Sequence, residues 1–196
     1  MKTGFLLAIL TAALLLAACA TRQPLTAAPP PAPSRQPPKT TAELRPTARQ
    51  QVAAQLQAGR FAAALAIIGE AREKNGALLE KEYLQALQAL AAAGEKNFQR
   101  GDYRESGSAA RTLLDHFPKT PALAARLPVD REAVGRRLRE CAERLMDGGL
   151  AEYRAGNLQG AIVAWKEILV FDATHEGAKK AIHTADTQLK NLRSLP

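Results

Sequence analysis

Between Thr47 and Leu192 the apolar residues recur every three or four positions, the spacing that gathers them on one face of a helix. Thr47 and Gln50 have the residue types of a capping box, which predicts a helix start there. Gly59 and Phe61 predict a turn, and Ala64, Ile68 and Ala71 the inner face of a second helix ending at Gly76. A long helix over 77–99 carries Leu79, Tyr83, Leu87 and Leu90 in one stripe. Gly101 repeats the turn, Ala110 and Leu113 follow on the next inner face, and Phe117-Pro118 closes that segment. Pro121 to Pro128 reads as an insertion. Asp130 is placed to cap a helix over 131–155 with Val134, Leu138, Cys141, Leu145 and Gly149 on one face. Gly156 turns the chain again, and Thr174 is expected to cap a last helix, amphipathic through Ala178, Ile182, Ala185, Leu189 and Leu192. No stretch alternates with period two, so the expected class is all-α.

The first 46 residues follow a different pattern. Lys2 precedes an almost unbroken apolar run from Phe5 to Ala18, which is the layout of a signal peptide. The run is shorter than the ~20 residues that span a bilayer. It ends Leu16-Ala17-Ala18-Cys19, which resembles a bacterial lipobox. The resemblance implies cleavage before Cys19, lipidation of its thiol and acylation of the new amine. Ala20 stands where Asp favours inner-membrane retention in that family, so the implied destination is the periplasmic side of the outer membrane. The rival reading is an ordinary secretory signal with Cys19 incidental. Residues 20–46 hold eight of the twelve prolines, including Pro29-Pro30-Pro31. Such a segment buries too little apolar surface to fold. As polyproline II it reaches on the order of 80 Å, a tether, with a Pro-rich docking motif as the alternative.

Charge changes the picture little for the helical part. Of the formal +8, the signal takes Lys2, residues 19–50 hold five basic residues against Glu43, and residues 51–196 hold 21 basic against 18 acidic residues. Just over half of the remaining excess, +4 against +3, therefore lies beside the anchor, where lipid headgroups or cell-wall carboxylates are its counterparts rather than nucleic acid. With Cys19 lipidated, Cys141 is left alone, and its place on an apolar face reads as a small buried hydrophobe rather than a reactive thiol. Arg136, Arg137, Arg139 and Arg144 are expected to pair with Glu132, Glu140 and Glu143 on a solvated face.

No catalytic constellation is present in the sequence. The serines, Ser34, Ser106, Ser108 and Ser194, sit in no nucleophile elbow. His175 and His183 have no third ligand at zinc spacing. The glycines mark turns and helix crossings, not a phosphate loop. The expectation is a non-enzymatic protein without cofactor or metal.

Gly149, Tyr153, Gly156, Leu158, Ala161 and Trp165 stand at the spacing of a tetratricopeptide repeat, which the stretch 145–173 resembles. Gly94, Phe98, Gly101, Tyr103, Ser106 and Ala110 resemble a second copy, and the segment around Gly59 a weaker third. Asp172 falls where that family has Asp-Pro, with Ala173 in place of the Pro. The turn glycines Gly59, Gly101 and Gly156 are 42 and 55 residues apart, against a family period of about 34. The resemblance implies a short solenoid over 47–193, three degenerate antiparallel helix pairs with the last helix as a cap. It also implies a groove lined by the first helices of each pair. By position, that groove takes Arg49, Leu56 and Gln57, then Gln88, Glu95 and Gln99, then Met146, Leu150 and Arg154. The Lys and Asn of the family's carboxylate clamp are replaced, so a helix or extended segment of another envelope protein is the expected partner. The competing expectation is a structural lipoprotein that binds peptidoglycan or anionic lipid through basic residues.

Overall fold

Three glycine turns organise the chain. Gly59, Gly101 and Gly156 adopt φ of 69°, 82° and 80°, the left-handed region that glycine enters without strain. In the computed structural model, which describes residues 47–76 and 78–194, each turn joins two antiparallel helices. Among the described residues these are α1 (Ala48–Gln57) with α2 (Phe61–Asn75), α3 (Glu80–Gln99) with α4 (Tyr103–Asp115), and α6 (Arg131–Arg154) with α7 (Leu158–Phe171). A four-residue helix, α5 (Pro121–Ala124), occupies the insertion, and α8 (Glu176–Arg193) ends the array. The described residues contain no strand, and none of their helices is long and apolar enough to cross a membrane. The signal, Cys19 and the tether lie outside the described residues.

Local sequence accounts for most helix ends. Thr47 and Gln50 form the capping box at α1, and the Asp130 carboxylate accepts the Ala133 N–H at 2.6 Å. Gly76, at φ 62°, closes α2. Two ends differ from expectation. The helix over 77–99 starts at Glu80, where Glu80 and Glu82 supply negative charge to its first turn. The cap of α8 is His175, whose Nδ1 accepts the Ala178 N–H at 3.0 Å. Thr174 is drawn instead to Asp172, whose carboxylate accepts both its N–H and its hydroxyl.

The second helix of each pair packs on the first helix of the next: α2 on α3, α4 on α6, α7 on α8. Each pair therefore buries an apolar face that it cannot bury alone. The core runs through the stack without a break. Leu56 and Tyr83 belong to both its first and second clusters, and Leu138 to both its second and third. Close crossings occur at glycines. A Cβ on Gly94 would stand 3.2 Å from the Ala109 Cβ, and one on Gly107 would stand 2.7 Å from the Phe171 ring.

Candidate functional site

Where α3 and α6 flank α4 they leave a cleft of about 380 Å³. Its floor is Ala109, Ala110 and Leu113 of α4; Leu90, Ala91 and Gly94 of α3 form one wall, Val129 and Val134 the other. The floor and the α3 wall are lined largely by small residues, because close helix approach at Gly94 excludes larger ones. Gln88 and Glu95 stand at its edge, two of the residues expected to line a groove, and Gln99 continues their stripe on α3.

The rim is held in place by its own bonds. Arg137 of α6 reaches Glu95 at 2.7 Å and Glu140 at 2.9 Å. Its guanidinium also lies 3.7 Å above the centroid of the Phe98 ring, which packs edge-on against Tyr103. Gln99 donates to Glu95 at 3.0 Å, and Gln88 donates to the Arg126 carbonyl at 3.0 Å. The ion pairs are partly exposed, and each adds at most about 1 kcal/mol. Their effect is chiefly to fix the donors and acceptors around the mouth. Arg137 is therefore not one of a set of equivalent solvated arginines. Glu140 at i+3 was visible in the sequence, but the ring of Phe98 and the carboxylate of Glu95 reach Arg137 only through helix packing.

Ser106 also lines the cleft, and it is 0% exposed. Its neighbours Ser108 and Thr112 donate to carbonyls one turn back, at 2.9 and 3.0 Å. The Ser106 hydroxyl makes no such bond; it is enclosed against α6, where it meets the Cys141 thiol. Nearby on α6 lies Cys141, 0% exposed, as its apolar face led us to expect. Burial pushes its thiol above the ordinary cysteine range; a hydrogen bond with the Ser106 hydroxyl and the Arg137 charge pull down, and Glu140 pushes up. The fold thus holds the thiol neutral, so the stability this contributes is kept at low pH and lost as the pH rises through the raised pKa. In the folded chain Cys141 is expected to react with a disulfide reagent at pH 8 at least a hundredfold more slowly than in the denatured chain, on the order set by burial and lost thiolate. Equal rates in the two states would place the thiol at the surface.

A larger cleft of about 680 Å³ lies between α2, the end of α4 and α5. One of its polar groups, the Tyr83 hydroxyl, donates to the His116 carbonyl, and Arg72, Glu73, Asp115 and Lys119 also line it. Burial raises the Tyr83 pKa, with Arg72 opposing. None of the expected groove residues lines it.

The other six expected groove residues lie away from the α3–α6 cleft. Arg49 pairs with Glu82 at 2.8 Å, Leu56 packs into the core, and Gln57 is exposed. Met146 packs against the third core cluster, and its carbonyl accepts the Trp165 Nε1–H at 3.2 Å. Leu150 and Arg154 are exposed on α6. Arg136, read as turned elsewhere, lies about five helical turns before Arg154 and so shares its face. No group of acidic, histidine or cysteine side chains suited to a metal ion occurs among the described residues.

No protein-family model matches the chain, and no curated protein or solved structure matches it.

Proposed function

We propose that this is a tetratricopeptide-like lipoprotein, held by Cys19 at the periplasmic side of the outer membrane, that binds a segment of another envelope protein as an adaptor. The observation that carries the reading is the α3–α6 cleft, an apolar floor under a rim of ordered polar groups from Gln88, Glu95 and Arg137. That division suits recognition of a peptide: apolar contacts supply affinity and the rim selects orientation. The lipobox-like Cys19 and the Pro-rich segment after it fit a domain carried at a distance from a membrane. The reading involves no catalysis, cofactor or nucleic acid.

Photo-crosslinking in intact envelopes tests it. A benzoylphenylalanine at Gln88 or Gln99 is expected to yield one discrete protein adduct, and the same residue at Gln57 or Lys166 none. Glu95→Lys should weaken the Gln88 adduct about tenfold, because it places a like charge beside Arg137 and disorders the rim. Crosslinking to the cell wall alone, from every position, would replace the adaptor reading with a structural lipoprotein bound to peptidoglycan through basic residues.

A further inference from the structure

The larger cleft, between α2, the end of α4 and α5, is shaped for an apolar filler. Leu65, Ile68 and Phe117, all buried, form its base. No polar side-chain atom lining it is buried without a partner, so nothing there waits for a polar ligand. Gly69 forms part of the α2 wall, and a Cβ on it would meet nothing within 4 Å. Glycine weakens a helix interior relative to alanine, and no neighbour among the described residues requires it here. What it provides is room for an outside chain to come close. On the lip stands Leu78, 78% exposed, the most exposed large apolar side chain among the described residues. An apolar projection thus adjoins an apolar hollow, an arrangement that a two-fold axis matches to itself.

The charges at the mouth agree. Arg72 and Lys119 stand there with Glu73 and Asp115, while Glu80 is held by Arg126. Arg72, Glu73 and Lys119 join no ion pair among the described residues, and Asp115 meets Arg111 only at 3.8 Å. A segment of one sign would set some of these against like charge, whereas a second copy of the same patch brings both signs to meet both.

We propose that two copies of the chain meet on this face, each placing its Leu78 in the cleft of the other, about a two-fold axis beside that residue. Burial of Leu78 and of the cleft's base supplies affinity, and the mixed charges set the register. The face shares no lining residue with the α3–α6 cleft, so pairing does not use the surface assigned to the adaptor.

Disulfide trapping of the full chain in envelopes tests the pairing. Leu78→Cys, oxidised with copper phenanthroline, is expected to run mostly at twice the chain mass on a non-reducing gel. The wild type, whose Cys141 is buried, and Val163→Cys, exposed on α7, should stay at single mass. Gly69→Leu, added to Leu78→Cys, should fill the cleft and cut the linked fraction about fivefold, with helical circular dichroism unchanged. Glu73→Arg, a change at an exposed residue that leaves the core alone, should cut it comparably by setting like charges together, and adding Arg72→Glu should restore it. A Leu78→Cys band no stronger than that of Val163→Cys overturns the proposal. So does a band that survives both Gly69→Leu and Glu73→Arg, the mark of chance collision. A linked species of another mass replaces the second copy with a different protein.

Discussion

Gly149→Ala is expected to lower the melting midpoint by about 10 °C, whereas Gly148→Ala should raise it slightly. The two glycines are neighbours in one helix, and they face different surroundings. A Cβ on Gly149 would stand 2.2 Å from Trp165 Nε1 and 2.6 and 2.7 Å from two further indole atoms. That indole is 3% exposed, rests against Tyr153 and donates to the Met146 carbonyl, so it has little room to retreat. Overpacking costs about 1–3 kcal/mol, and a lost hydrogen bond about 1 more. In a domain of this size each kcal/mol moves the midpoint by about 2–4 °C. Around Gly148 a Cβ meets nothing within 4 Å. There alanine only removes the flexibility of a mid-helix glycine, a gain of about 0.5–1 kcal/mol. Circular dichroism melts of the two variants decide the matter. Similar curves would mean that Trp165 does not lie over Gly149, and the third helix pair would need another packing.

If the proposed lipoprotein reading holds, Cys19→Ser should abolish lipid attachment altogether, the largest functional effect expected of any single change. Each buried methylene adds about 0.8 kcal/mol to membrane binding, and more than one chain makes the anchor effectively permanent. A serine has no thiol to accept the diacylglycerol, so the chain should carry no palmitate label, remain uncleaved by the lipoprotein peptidase and keep its apolar leader. Labelling with palmitate and fractionation of membranes read both outcomes. Persistence of label in the variant would move the acylation to another residue, and a wild-type chain without label would reduce Cys19 to an incidental residue beside an ordinary signal.

The helices of this protein are written locally. A capping box at Thr47, an Asp at residue 130 and glycines at 59, 76, 101 and 156 act within a few residues of themselves, and each ends or begins a helix as its chemistry demands. Apolar stripes likewise announced the faces that the stack buries, Cys141 among them, because helical periodicity is a property of the chain alone. Even so, local rules competed at residue 172, where Asp172 captured Thr174 and left the cap of α8 to His175. The cleft is another matter. Of the residues expected to line a groove, Gln88 and Glu95 lie at its edge and Gln99 one turn beyond, whereas Met146, Leu150 and Arg154 do not reach it. They leave α6 on a different side from Arg137, and only the crossing of α6 over α4 decides which side meets α3. The stacking of Arg137 on Phe98, the enclosure of Ser106 against Cys141 and the unlike surroundings of Gly148 and Gly149 all depend on contacts between helices far apart in sequence. A side chain's helix and its polarity follow from its neighbours along the chain, but what it touches follows from the angle at which two helices meet, and that angle exists only once the stack has formed.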